Sequence, residues 1–455
     1  MPLSRWAAAL IAVVLAACSK SPERTVQDEL SKGTGVVRLP AGTIELAAEW
    51  RVPENSHDIE IVGEPSTVVR FGPDFTGRAL IVVDGARNVK IRGIRFEGNR
   101  AALERRIDMP PSGMPFSGHF TGNGVMVLRS TNVEISGLQF REFMGFPILA
   151  TSVKGIKISG VAVEESGSRN FKGKNNTSGG ILLEEGVDRF EVRDCTFKKI
   201  LGNGIWTHSY HQSPRNFTGT IAGNTFEQVG RDAIQVGHAN KVRVENNKGK
   251  FIGYPAEDVD VDGQAIPVAV DTGGKVDESI YTKNRFEEIN GKCFDLDGFH
   301  DGEVSGNVCI NRGGAADYPH GNLALVMNNT NPEMQSRNIT IRDNVFDGTK
   351  FSAMFVIGSG HKITGNKMLH INKALCNEGS AKFQCGWSRN EPNLMQAGIF
   401  LGARAERMDV AADNTIEGNE IRGHKMSGRC VIASVGVVAS RNRIGPNQCV
   451  DEDPN

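Results

Sequence analysis

Short apolar runs, each interrupted by Gly, Asn or Asp, fill the chain from about residue 35 to its end. Within them a motif recurs: a β-type run, an Asn, then a second run whose apolar residue stands two positions further on. Copies read GNTF at Asn224, KNRF at Asn284, GNVC at Asn307, DNVF at Asn344, GNKM at Asn366, GNEI at Asn419 and RNRI at Asn442, with a looser copy at Asn247. Asn224 to Asn247, Asn284 to Asn307 and Asn419 to Asn442 are each 23 residues apart; Asn344 to Asn366 is one shorter. Earlier copies carry Ile94, Leu138, Val161 and Cys195 in the Asn slot. A constant period with three short β runs per copy predicts an all-β solenoid of stacked turns. About a dozen turns at about 4.8 Å per rung give a rod roughly 55–60 Å long. Asn at one slot predicts a buried amide ladder. The column Phe96, Phe140, Val163, Phe197, Phe226, Phe286, Cys309, Phe346, Met368, Ile421 and Ile444 predicts a core stack. Both columns read as structural. The helix-compatible stretch around Thr25 to Leu30 predicts a cap on the open end, which otherwise invites edge pairing.

The opening VVRLPAGTIELAAEWRV, then IEIVGEP, then NVKIRGIRFEGNR, together with the repeats, resembles the pectate-lyase-like β-helix superfamily. The resemblance covers nearly the whole mature chain. It implies a single-stranded right-handed parallel β-helix over 35–455, preceded by a tether and short cap over 19–34. It further implies that a polysaccharide substrate lies in a groove on the sheet whose strands precede the Asn motifs. A fold does not by itself identify an activity.

Those preceding runs include GILLEE, GIWTHS, AIQVGH, PVAVDT, CFDLDG and NLALVM. Alternation along a strand places Val125, Ile148, Ile181, Ile205, Ile234, Val268, Phe294, Leu323, Met354 and Ile399 inside. The first outward column is then Met126, Leu149, Leu182, Trp206, Gln235, Ala269, Asp295, Ala324, Phe355 and Phe400. The second is Leu128, Thr151, Glu184, His208, Gly237, Asp271, Asp297, Val326, Ile357 and Gly402. Both are mainly apolar at their ends and polar between Trp206 and Asp297, with Gly237 leaving a gap between His208 and Asp271. Insertions at 100–124, 166–180, 209–219, 251–266, 312–322, 328–338 and 372–397 flank this sheet and would wall a groove.

On this alignment Asp271 and Asp297 stand one rung apart, about 4.8 Å. Carboxylates that close repel, which raises one pKa and makes an acid and base pair. Asp295 also faces out, and His208 joins the catalytic set as a proton relay. Gln235, His238 and His300 are candidate substrate-binding residues, and Trp206 offers a flat surface for a sugar ring. The same residues admit plainer readings: Asp at strand ends forms turns, and Trp206 packs under a loop. The central columns hold no Lys or Arg, although Arg231 precedes its strand and can reach in.

The polygalacturonases, which the resemblance includes, place clustered Asp and a His on this sheet, and FDLDGFHDG from Phe294 to Gly302 is similar to that cluster. Their Asn-Thr-Asp, Gly-His-Gly and Arg-Ile-Lys motifs are absent, as is the Asp-Pro-His-Glu of mannuronan epimerases. No catalytic set carries over. Carboxylate pairs suit glycoside hydrolysis, with a lyase as the main variant. A non-catalytic glycan-binding protein and a structural or adhesive rod are the other classes. Asp258, Asp260 and Asp262 before Gly263 give D-x-D-x-D-G, the first half of a Ca²⁺ loop. The twelfth position is Ala269 instead of Glu, so this is no EF-hand. Alternate carboxylates suit Ca²⁺; a solvated acidic loop fits the same residues.

The formal net charge of −1 argues against a nucleic-acid partner. Arg5 and an apolar run from Trp6 to Leu15 read as a secretory signal, too short to span a bilayer stably. The run ends in Leu15-Ala16-Ala17-Cys18, which resembles the bacterial lipobox, in which Cys is lipidated and becomes the mature N-terminus. The resemblance implies that residues 1–18 are a lipoprotein signal ending in the lipidated Cys and that the lipid anchors the protein in the cell envelope; an ordinary signal peptide with a chance Cys is the plainer reading. Export permits disulfides. Cys376 with Cys385 and Cys430 with Cys449 are candidate pairs, and Cys195, Cys293 and Cys309 are candidate buried thiols. The lipid-anchor reading predicts that Cys18→Ala releases the protein from membranes or leaves the precursor unprocessed, as fractionation and immunoblotting would show. A variant that stays membrane-bound and fully processed contradicts it.

Overall fold

The computed structural model describes residues 21–210, 213–263, 265–327, 334–376, 378, 382–385, 396–402, 411–434, 437 and 441–453. Cys18 lies outside them. Every registered strand pair is parallel, and most strands join their equivalents one turn before and one turn after. The molecule is a right-handed parallel β-helix of about a dozen turns. One hydrophobic core runs along its axis from Val26 to Val437. Among the described residues no helix is long and apolar enough to cross a membrane.

The helix Pro22–Leu30 closes the first turn. Ser21 caps it by accepting from the Arg24 backbone N–H at 3.3 Å, and Val26 and Leu30 are buried. Its polar side chains meet the exposed edge of the strand Gly42–Val52. Glu23 accepts from the Ala47 and Ala48 N–H groups at 2.7 and 3.2 Å, and Gln27 accepts from that of Arg51 at 2.9 Å. Donors left unpaired at the end of the stack are thereby satisfied.

The core column is continuous from Phe96 through Phe140, Val163, Phe197 and Phe226, then Gly249, Phe286, Cys309, Phe346, Met368 and Ile421. Gly249 is the rung of the looser Asn247 copy. A Cβ there would lie 2.6 Å from the Phe286 ring, so the large ring below takes the volume that the glycine leaves. The column ends on Cys449, not on the expected Ile444. Ile444 pairs with Ile416 on another sheet and is 43% exposed; among the described residues no strand pairs on its other side.

The Asn ladder shows the same shift. Asn224, Asn247, Asn284, Asn307, Asn344, Asn366 and Asn419 each donate a side-chain N–H to the next amide oxygen at 2.9–3.0 Å. The partner of Asn419 is Asn447. Asn442 instead ends a second, shorter ladder, accepting from Asn414, which itself accepts from the His361 N–H. Both asparagines precede an apolar residue by two positions, so the local pattern cannot choose between them.

Cys376–Cys385 and Cys430–Cys449 are disulfides, as expected. Cys293 and Cys309, expected as thiols, are bonded to each other. Cys195 is a buried free thiol whose pKa burial pushes up to about 12.

Asn307 accepts from the Asn284 N–H and side-chain amide, and it donates to Tyr281 O and Asn344 Oδ1, each at 2.9 Å. Leu at this position strands those partners in the interior. Asn307→Leu is expected to cost about 3 kcal/mol, measured by denaturant unfolding. An unchanged midpoint and slope would show that the ladder contributes nothing to stability.

Candidate functional site

The sheet that precedes the Asn motifs includes Asn123–Leu128, Ile148–Thr151, Ile181–Glu184, Ile205–His208, the start of Ile234–Glu245, the start of Val268–Asp277, Lys292–Leu296, Leu325–Val326, Met354–Val356 and Ile399–Leu401. Its register corrects the alignment at two strands. Ile234 pairs with Val270, not Val268, and Val270 pairs with Phe294; Phe294 pairs with Leu325, not Leu323. The first outward column therefore runs Trp206, Gln235, Asp271, Asp295, Val326 and Phe355. Asp271 neighbours Asp295. The expected partnership of Asp271 with Asp297 does not form in the register, and Gly273, not Asp271, stands opposite Gly237.

Asp271 and Asp295 lie in a buried network of charge. Gln235 donates its side-chain N–H to Asp271 Oδ2, and Asn203 donates to Gln235 Oε1 at 2.8 Å. The Lys292 ammonium pairs with Asp295 Oδ2, while Asp295 Oδ1 is buried with no hydrogen-bond partner. Asp232 completes the set: its Oδ1 accepts from the Val268 N–H at 3.0 Å, and its Oδ2 lies 3.5 Å from Arg231 Nε. Arg231 also donates to Asn176 Oδ1 at 2.7 Å and lies over the Trp206 ring at 5.7 Å. Asp271, Asp295 and Lys292 are only 6–8% exposed.

Burial and like charge set the protonation of this network. Burial raises Asp271 well above the usual carboxylate range, and the charges of Asp232 and Asp295 add to it; Arg231 and the Gln235 hydrogen bond oppose it. Burial likewise pushes Asp232 to about 6, against the attraction of Arg231. For Lys292, burial alone would lower the pKa; Asp295, Asp297 and Asp271 outweigh it and leave the ammonium held above its ordinary value. The result is a carboxyl that holds its proton to higher pH than an ordinary aspartate, next to an Asp295 side chain bound to the Lys292 ammonium, the kind of asymmetry that separates a proton donor from an acceptor.

Asp232, Lys292 and Asn203 were not found from the sequence. Asn203 and Asp232 each stand two residues before an inward isoleucine, Ile205 and Ile234. That slot forms a small ladder of its own, in which Asn203 accepts from the Asp232 N–H at 3.1 Å and Asp232 accepts from Val268. The repeat Asn-Gly-Ile and Asp-Ala-Ile was a usable signal. Lys292 shares its phase with Phe294, so alternation assigns it inward; as the first residue of its strand it turns to Asp295 instead.

The remaining candidates disperse. His208 lies two strands from Asp271, across the Ile234 strand, and meets Glu185 and Phe116. Burial, with the charges of His238 and Arg231, pushes its pKa down to about 4. Trp206 is 4% exposed and packs under Phe116 of the 100–124 insertion at 4.8 Å between ring centres, so it is no open platform for a sugar. His300 is buried on another strand, with one ring nitrogen 2.7 Å from Asp277 Oδ1 and the other 3.0 Å from Gln335 O, so it does not reach the groove. His238 is half-buried at the bulge after Gly237, 6.5 Å between ring centres from His208. Asp258 pairs with Arg169 at 2.8 Å, Asp260 accepts from Asn170 at 2.8 Å, and Asp262 lies 3.4 Å from Lys172. The acidic loop thus clasps the 166–180 insertion, whose own residues balance its charge.

Comparisons with known proteins agree with this architecture. Residues 79–250 match the family described as "Right handed beta helix region". The Azotobacter vinelandii mannuronan C-5 epimerase AlgE4 A-module superposes with a TM-score of 0.55 at 10% identity, over 77% of this chain and 92% of that one. PfbA, a surface adhesin of Streptococcus pneumoniae, gives 0.54 at 11% over 95% and 90%. DFA-IIIase from Arthrobacter chlorophenolicus A6, in complex with GF2, gives 0.53 at 11% over 94% and 97%. At such identities the likeness is one of fold. No curated protein sequence matches the chain.

Proposed function

We propose that the protein is a carbohydrate-active enzyme of the cell envelope, held there by lipid on Cys18, which cleaves a polysaccharide at the Asp271–Asp295 pair. The observation that carries this reading is the division of labour between two register neighbours: Asp271 is driven to keep its proton, while Asp295 is bound to the Lys292 ammonium and has one oxygen unpaired. Asp271 donates its proton to the leaving glycosidic oxygen. Asp295 Oδ1 bonds to the sugar carbon as its bond to that oxygen breaks; water, giving its proton back to Asp271, then displaces Asp295 and releases the sugar. Rungs about 4.8 Å apart suit the close carboxyl pair of glycosidases that pass through a covalent glycosyl intermediate, roughly 5–5.5 Å. Gln235 and Asp232 set the state of Asp271, and Asp297 adds negative potential at Lys292. The carbohydrate-related epimerase and DFA-IIIase of the same fold are consistent with a glycan substrate.

The low exposure of both carboxylates favours a second reading, in which the charge network is structural glue and the groove binds glycan without turnover. A panel of polysaccharides, followed for new reducing ends and for unsaturated products, separates the two. On any substrate so found, Asp271→Asn and Asp295→Asn are each expected to lower turnover by about 10²–10⁴-fold with circular dichroism unchanged. Full activity in both folded variants would remove the catalytic assignment, and unsaturated products would assign a lyase instead of a hydrolase.

A further inference from the structure

A second cluster of polar groups lies on the same sheet, away from Asp271, and nothing in the glycan reading uses it. Glu184 ends its strand and pairs in register with His208. Glu185 follows with a left-handed backbone, φ 55°, and its N–H donates to His208 O at 3.0 Å. That turn brings Glu185 Oε1 to 3.8 Å from His208 Nδ1. One donor atom from each of Glu184, Glu185 and His208 falls within 4.8 Å of the others.

Unmet hydrogen bonding concentrates here. Eleven buried side-chain polar atoms among the described residues have no hydrogen-bond partner; two of them, Glu185 Oε1 and His208 Nδ1, face each other here, and the next two residues after His208 add Ser209 Oγ and Tyr210 Oη. The Glu185 side chain is 9% exposed; its carboxylate is held by hydrogen bonds from Ser213 and the Tyr210 backbone, while Oε1 has no partner and is cut off from solvent. Buried polar atoms are ordinarily satisfied, and a group of exceptions in one place calls for an occupant. The gap of 3.8 Å between Glu185 Oε1 and His208 Nδ1 is too long for a hydrogen bond. It is close to the separation of two ligands on one ion, about 3.3 Å for tetrahedral bonds of about 2.0–2.1 Å.

Glu184 anchors the neighbouring insertion and still has capacity to spare. Its Oε1 accepts from the Ser117 N–H and the Thr151 hydroxyl, and its Oε2 from the Phe116 N–H, each at 2.9 Å. One lone pair of Oε2 is left over. We propose that Glu185 Oε1 and His208 Nδ1, with Glu184 Oε2 as third donor, bind one divalent transition-metal ion of the Zn²⁺ type. An imidazole nitrogen with carboxylate oxygens suits such ions, whereas Ca²⁺ and Mg²⁺ prefer all-oxygen shells. Because Glu184 also holds Phe116 and Ser117, the ion ties the 100–124 insertion to the sheet. The site stands or falls independently of the glycan chemistry.

Cobalt(II) titration of untagged, chelator-stripped full-length protein tests the site, read by visible d–d absorption. The expected result is a band that saturates at one equivalent, is bleached by Zn²⁺ and survives excess Ca²⁺. Glu185→Gln and His208→Gln should each abolish it with circular dichroism unchanged; if the histidine variant does not fold, the glutamate variant decides. Absence of any band in folded wild-type protein overturns the proposal and assigns the cluster to ordered water. A band that persists in Glu185→Gln overturns it in favour of another ligand set.

Discussion

Register between parallel rungs is the constraint on which everything else in this molecule depends. Each turn adds one rung, and pairing sets like positions above one another about 4.8 Å apart. For phenylalanine and asparagine that rule is favourable: Phe96 stacks on Phe140 with ring centres 4.9 Å apart, and each ladder amide serves the next. For carboxylates it is unfavourable, because Asp271 and Asp295 are held at the same spacing with no freedom to part. The repulsion is offset locally, by the raised proton affinity of Asp271 and by the positive charges of Lys292 and Arg231. The stack is built by its inward residues, so this outward concentration of charge asks for a function.

The solenoid, the Asn ladder and the core column were legible because their spacing is regular and their residue types have one favourable environment. Errors came wherever two residues of the same kind offered the same phase. PVAVDT presents Val268 and Val270, and alternation alone cannot tell which of them faces Ile234; the choice moved Asp271 from one outward column to the other. Asn442 and Asn447 offered a similar choice at the last described turn, each standing two residues before an apolar residue. Lys292 and Asp232 escaped alternation for another reason: Lys292, the first residue of its strand, turns from its inward phase to Asp295, and Asp232 precedes its strand, where only the repeated Asn-Gly-Ile and Asp-Ala-Ile spacing marks it.

The insertions change the character of the outer face. Phe116 covers Trp206 and contacts the His208 ring, Glu184 holds the Phe116 and Ser117 amides, and Asn176 braces Arg231. The 166–180 and 251–266 insertions are themselves joined by the pairs Arg169–Asp258 and Lys172–Asp262. Side chains that alternation assigned to an open groove are thereby taken out of water. Lower polarity strengthens every remaining charge interaction and drives the shifts at Asp271, Asp232 and His208. Packing against the inserted loops and chemistry at the sheet are two results of the same covering.

The central claim is that Asp271 keeps its proton because burial and its charged neighbours demand it. Its most direct test is a ¹³C NMR titration of the aspartate carboxyl carbons, with Asp271 assigned by its absence in Asp271→Asn. The account predicts a midpoint for Asp271 well above 3.8 that moves down toward 3.8 when Asp295 is replaced by Asn, since a neighbouring negative charge is then gone. A midpoint near 3.8 in the wild-type protein, or one indifferent to Asp295, would contradict it.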